Sequence, residues 1–167
     1  MKYYNKREMA FRVFLSHSLD PAEQALAWRL QTLAAAHGIE MFVPHRDGSH
    51  PSLSALTSVH QAIDRADCVM AIITARPNAS VQSELRYALG KPRPVIPIVS
   101  TELRGHPLLA QFKAVFWFSP SDNPGEIEAQ IVAFLKQQDI SRSKQQAIGA
   151  LAALGLGLLL LFSLSEK

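Results

Sequence analysis

Cys68 to Thr74 reads Cys-Val-Met-Ala-Ile-Ile-Thr, an almost wholly apolar run in which polar and apolar positions do not alternate. A strand with one wet face alternates, so a run that is apolar at successive positions describes a strand covered on both sides, as happens when helices flank a parallel sheet. The neighbouring segments can supply those helices.

Phe11 to Leu15 is a short apolar run that breaks at Ser16-His17-Ser18, as a buried strand does on meeting its loop. Asp20 is placed to cap a helix, Pro21 suits its first position, and Glu23 three residues after the cap completes a box of reciprocal hydrogen bonds. The spacing predicts a helix to about His37 with Leu26, Leu30 and Leu33 buried, ended by Gly38 in a left-handed turn. Ile39 to Val43 is a second strand, and Pro44 to Pro51 is too rich in turn formers to be regular. Leu53, Leu56, Val59 and Ile63 recur at helical spacing, ending around Ala66. After the apolar strand and Arg76-Pro77-Asn78, a third helix carries Val81, Leu85, Ala88 and Leu89 and stops at Gly90. Val95 to Val99 and Val115 to Phe118 read as strands four and five, followed by an amphipathic helix from Pro124 to Gln137.

Strands alternating with helices through short connections predict an α/β fold: an open, mainly parallel five-stranded sheet, doubly wound, with helices on both faces. Ligands of such sheets bind beyond the C-terminal strand ends, where strand order reverses. The loops to inspect are therefore Ser16 to Asp20, His45 to His50 and Thr74 to Glu84.

The C-terminal end is of another kind. From Ala147 to Leu164 no residue is charged and Ser163 is the only polar one, a helix of about 27 Å that just spans a bilayer. A buried core helix usually keeps a polar stripe, which this Leu-rich segment lacks. Arg142 and Lys144 precede it and only Ser165, Glu166 and Lys167 follow, so the excess of positive charge puts the large N-terminal domain in the cytoplasm of a single-pass membrane protein. Gly149, Ala153 and Gly157 recur every four residues, either as a face on which two such helices pack or as the small residues membrane helices commonly carry. The expected organisation is a basic segment over residues 1–10, the α/β domain over 11–137, a polar linker over 138–146, a membrane helix over 147–164 and a tail over 165–167.

Composition narrows the function. Cys68 is the only cysteine, so no disulfide joins two points of the chain, and a reducing cytosol suits it. The start has no apolar run of secretory-signal length. The net charge of +3 is modest and not arranged along a helix face, which argues against nucleic-acid binding. His45 and His50 flank a loop, but no third ligand lies at zinc spacing, so no metal site is expected. Ser16, His17 and Asp20 are too close in sequence to imply a hydrolytic triad. The lack of a Gly-rich phosphate loop removes the main support for kinase, ATPase or dinucleotide-fold dehydrogenase readings. Cys68 reads as an inert core thiol.

Glu84, near the start of the third helix, lies at the mouth of the expected crevice. A carboxylate there can act on a sugar, stabilising the positive charge that builds on a ribose ring as its glycosidic bond breaks. On position alone, Glu84 is as readily read as merely favouring the positive end of the helix, the simpler of the two readings.

The ordered set of motifs resembles the Toll/interleukin-1 receptor (TIR) domain family, especially its bacterial members. Phe14-Leu15-Ser16-His17-Ser18 looks like the family's first-strand motif, and Gly38-Ile39-Glu40-Met41-Phe42 with the Asp47-Gly48 loop looks like its second strand and mobile loop. Ala62-Ile63-Asp64-Arg65-Ala66-Asp67 looks like the end of its second helix, and Ser80-Val81-Gln82-Ser83-Glu84-Leu85 like the segment holding its catalytic glutamate. The likeness spans about Phe11 to Leu135 and implies a flavodoxin-like TIR fold. It also implies consumption of NAD as a substrate, by hydrolysis or cyclisation in antiphage defence, with no cofactor. By that resemblance Glu84 is catalytic, and Phe14, Ser16, Arg46, Asp47 and Gly48 line the pocket. Self-association of the domain is implied as well. Ser80 departs from the pattern, since many active members carry an aromatic residue four positions before the glutamate; Phe14 or Phe42 would then supply the stacking surface, although both are also ordinary core residues. A non-catalytic module that self-assembles or senses a nucleotide, acting through its membrane helix, is the alternative. A nucleoside deoxyribosyltransferase-like enzyme is a third reading.

Overall fold

The computed structural model describes residues 10–74, 78–112, 114–119 and 121–148, with side chains to 142. Its centre is the apolar run identified above: β3 (Cys68–Ile73) has all six residues buried. The strand lies between β1 (Arg12–Ser16) and β4 (Val95–Ser100), and β2 (Glu40–Phe42) and β5 (Phe116–Phe118) complete a sheet of order β2-β1-β3-β4-β5. All four pairings are parallel. The doubly wound sheet expected from the sequence is thus present, with strand ends differing by a residue or two.

Alternation along β1 divides the core. Val13 and Leu15 face one way and pack with Leu26, Ala27 and Leu30 of α1 (Pro21–Ala36) and with Ile131, Phe134 and Leu135 of α4 (Pro124–Ile148). Phe14 faces the other way and packs with Ile63 of α2 (Leu53–Arg65) and Ala88 of α3 (Ala79–Leu89). Ser16 therefore emerges on the side of α2 and α3. Two short 3-10 turns, Thr101–Leu103 and Pro107–Gln111, bridge β4 and β5.

Several local expectations need correction. Leu33 lies at the edge of α1, and of the apolar positions on α2 only Ile63 is buried, with Leu53 82% exposed. Leu89 is likewise exposed. Spacing identifies these helices but does not fix which of their apolar residues the sheet covers. The stretch read as a linker continues α4 to Ile148. No Gly or Pro interrupts residues 138–146, and tertiary contacts hold the turn: Arg142 bonds Asp67 at 2.8 Å and Asp139 at 3.2 Å and lies over the Phe11 ring. Gly38 ends α1 at φ 74°, the left-handed turn expected of it.

Among the described residues no helix is long and apolar enough to cross a membrane. The segment expected to do so lies outside them from residue 149 on, as do Gly149, Ala153, Gly157 and residues 1–9.

Candidate active site

β1, the loop after β2 and α3 each deliver one side chain to the same point beyond the C-terminal ends of β1 and β3, where the strand order reverses. Ser16 is the last residue of β1 and is fully buried. Glu84 shares with Val81, Leu85 and Ala88 the buried stripe of α3, because positions three and four apart lie on one helical face. Its carboxylate is therefore carried inward, leaving the residue 6% exposed. Asn78 caps α3 by accepting from the Val81 amide. Glu84 is the sixth residue of this helix, and no acidic residue stands in its first turn. The pull of the helix terminus fades beyond that turn, so simple electrostatics at the helix end does not account for the carboxylate.

The Ser16 hydroxyl donates to Glu84 Oε2 at 2.5 Å, and Arg46 Nη2 donates to both carboxylate oxygens at 2.7 Å. Arg46 Nε also donates to the carbonyl of His17 at 2.7 Å, anchoring the guanidinium to the loop after β1. The pair is enclosed, with side-chain exposures of 12% for Arg46 and 7% for Glu84. A carboxylate has about four acceptor positions, and these contacts occupy most of them. A sugar hydroxyl binding here would take a remaining lone pair or displace Arg46.

The structure thus brings together Ser16, Arg46 and Glu84 of the residues named from the sequence. Phe14 lies two positions below Ser16 on the same side of β1, fully buried, stacked on Phe42 with ring centroids 5.7 Å apart. Asp47 turns to its own loop, its Oδ1 accepting from the backbone and hydroxyl of Ser49 at 2.9 and 2.5 Å. Those bonds lower its pKa below the ordinary carboxylate value. Gly48 sits at φ 83°, a left-handed conformation open to glycine, with Leu19 beside it. His45 and His50 are exposed, and among the described residues no group of three or more His, Cys, Asp or Glu is arranged to hold a metal ion.

Two residues of this region carry more than their sequence positions suggested. His17 is buried, with Nε2 3.0 Å from the carbonyl of Pro44 and Nδ1 2.7 Å from that of Ser18, pinning the loop that bears Arg46 to the end of β1. Glu23 does not complete the capping box. Asp20 caps α1 through the amides of Ala22 and Glu23, but its own amide goes to Ser18 Oγ. The Glu23 carboxylate instead turns inward, where it accepts from Ser18 N and from Thr74 N and Oγ1. The available signal was weak, since a box of this sequence is compatible with either rotamer of Glu23.

Comparison with solved structures finds a similar fold in several proteins. A Clostridium botulinum CMP N-glycosidase, BcmB, is 15% identical with a TM-score of 0.53, covering 72% of this chain and 97% of its own. The sugar isomerase domain of an RpiR transcription factor from Sphaerobacter thermophilus is 12% identical at a TM-score of 0.52, covering 83% and 79%. The TIR domains of the activated Roq1 resistosome, which recognises the effector XopQ, are also 12% identical at 0.52, covering 74% and 98%. At these identities the likeness is one of fold. No curated protein matches the chain. The TIR domain family, however, matches residues 13–142, from β1 into the last turns of α4, and so takes in Ser16, Arg46 and Glu84. On that match the chain belongs to the TIR domain family.

Proposed function

We propose that this chain is a membrane-anchored TIR-domain enzyme that cleaves the bond between nicotinamide and ribose in NAD, in bacterial antiphage defence or abortive infection. The observation that carries the reading is Glu84 itself, a carboxylate on the buried stripe of α3, meeting Ser16 where the sheet reverses its strand order. Leucine would fill that stripe without the cost of removing a charge from water. In the proposed reaction the C1′–N bond breaks and its electron pair neutralises the pyridinium nitrogen, releasing nicotinamide. Glu84 stabilises the cationic ribose, directly or through its hydroxyls. Water then adds at C1′ and loses a proton, giving ADP-ribose, or a group of the same molecule adds and a cyclic product forms. Ser16 orients the carboxylate, and the Arg46-Asp47-Gly48 loop with Phe14 beneath it borders the pocket. That one protein of this fold is named a CMP N-glycosidase supports glycosidic chemistry on such a sheet. Residues 147–164 would cross the membrane, leaving the α/β domain in the cytoplasm.

The test is to incubate the full chain, clustered on liposomes, with NAD and separately with CMP, and to identify products by mass spectrometry. Nicotinamide with linear or cyclic ADP-ribose is expected, and Glu84→Gln should abolish it. Turnover unchanged by that substitution refutes the proposal, and turnover of CMP alone redirects it to nucleotide glycosidase chemistry.

Arg46 occupying both oxygens of Glu84, together with Ser80 in place of an aromatic, favours one other reading. In it the domain is a non-catalytic module that self-assembles or senses a nucleotide, and the membrane helix is the effector. Cells carrying Glu84→Gln would then keep full activity, while bulky replacements at Gly149, Ala153 or Gly157 would remove it.

A further inference from the structure

Glu23 lies on the opposite side of the sheet from Glu84, in the first turn of α1, and is only 3% exposed. A buried carboxylate of this kind is retained where several donors converge on it, and here the donors come from two separate segments. Oε2 accepts from the amide of Ser18 at 2.8 Å. Oε1 accepts from the amide of Thr74 at 3.0 Å and from its hydroxyl at 2.6 Å. Ser18 is two residues past Ser16, in the loop after β1, and Thr74 is the first residue past β3. β1 and β3 are neighbours in the sheet, and the gap between their C-terminal ends is the place where strand order reverses.

We infer that Glu23 is a positioning residue for the site: one carboxylate ties the chain leaving β1 to the chain leaving β3. The first of these segments follows directly on Ser16, and the second leads to α3 and Glu84. Nothing about a helix cap requires this arrangement, since Asp20 already caps α1. The role also explains why the position holds an acid with two oxygens. Gln offers one acceptor and turns an NH2 toward a second donor, so it can satisfy the Ser18 amide or the Thr74 pair but not both. Asp has both oxygens on a side chain one methylene shorter.

The inference rests on the proposed NAD chemistry for its kinetic half and stands apart from it for its structural half, so the experiment reads both. Hydrogen exchange and steady-state kinetics on NAD are measured for the full chain on liposomes, as wild type, Glu23→Gln and Thr74→Val. In Glu23→Gln the amides of Ser18 and Thr74 should exchange at least tenfold faster, with those at the centre of β3 and β4 unchanged. KM for NAD should rise fivefold or more, because the segments bordering the crevice lose their register; a smaller folded fraction would lower kcat and leave KM alone. Thr74→Val, which keeps the amide bond and loses the hydroxyl, should fall between. If Thr74 exchanges as in wild type in Glu23→Gln, or if amides throughout the sheet accelerate together, Glu23 does not couple the two segments and the inference fails. If Glu23→Gln accelerates the amides of Ser18 and Thr74 together while the wild type turns over no NAD, the structural tie stands and the proposed activity falls.

Discussion

Arg46 and Glu84 form an ion pair whose worth can be measured by a double-mutant cycle. Both side chains are nearly enclosed, so the pair is far less screened than a surface bridge and the discount for solvent does not apply. Arg46→Ala leaves the carboxylate buried with the Ser16 hydroxyl as its remaining partner, and stranding one charge of a buried pair costs about 3–5 kcal/mol. Loss of the bond to the His17 carbonyl adds about 1 kcal/mol. Glu84→Gln keeps the shape and an acceptor for Ser16 but leaves the guanidinium without its counter-charge, which should cost about 2 kcal/mol. The double variant carries no stranded charge, so it should be less destabilised than the two singles added together, by about 2–3 kcal/mol.

The assay is urea unfolding of the four full-length proteins in one mild detergent, followed by circular dichroism. With a slope of about 1.5 kcal/mol per molar urea, a loss of 3 kcal/mol moves the midpoint by about 2 M. The coupling should also persist in 1 M salt, where an exposed pair would lose most of its attraction. A coupling below about 0.5 kcal/mol, or one that vanishes in salt, would mean the carboxylate is solvated and the enclosed site wrongly drawn.

Two further outcomes follow from groups whose ionisation is displaced. Burial pushes the Cys68 thiol up to about 12, with the charge of Asp67 adding to the effect, so it should resist alkylation at pH 8 in the folded protein and react promptly in urea; labelling of native protein at the rate of a free thiol would refute its core position. Asp64 is held below the ordinary carboxylate value by hydrogen bonds from Lys91 and Tyr87. Its folded pKa is depressed, so its contribution to stability is complete above the unfolded pKa near 3.8 and disappears as pH falls through the lower folded value. Asp64→Asn should therefore lower stability by a constant amount at every pH above about 4, converge with wild type in stronger acid and so flatten the acid limb of the curve; an altered slope between pH 5 and 8 would contradict the assignment.

The elements most easily read from the sequence are those whose signal is local. β3 is apolar at every position and could only be central, and Asp20-Pro21 and Gly38 mark both ends of α1 through backbone chemistry that needs no tertiary partner. What escaped is what depends on partners distant in the chain. Arg142 continues α4 through a stretch of polar residues because Asp67 and Phe11 wait beside it. Leu53 and Leu56 have the spacing of a buried face, yet both are exposed. The site divides in the same way. Glu84 could be placed at a helix start from the sequence, and its membership in the stripe of Val81, Leu85 and Ala88 was there to be read. Its pairing with a residue 38 positions away could not be derived from spacing.

The position of β1 explains why so much converges on so few residues. The chain leaves β1 toward β2 by way of α1 on one side of the sheet, then returns across to β3 by way of α2 on the other. The end of β1 therefore meets elements from both sides, and three successive residues of its exit are gripped from different directions. Ser16 is held by Glu84 of α3, the His17 carbonyl by Arg46 of the loop after β2, and the Ser18 amide by Glu23 of α1. Glu84 takes the Ser16 hydroxyl and Glu23 the Ser18 amide, so the two carboxylates do not compete for one partner. A substitution on either side of the sheet must then act on the other through this short segment. For that reason Glu23→Gln and Arg46→Ala should show a non-zero coupling in the exchange rate of Ser18, although the two side chains share no bond; strictly additive effects would place the end of β1 under independent local control.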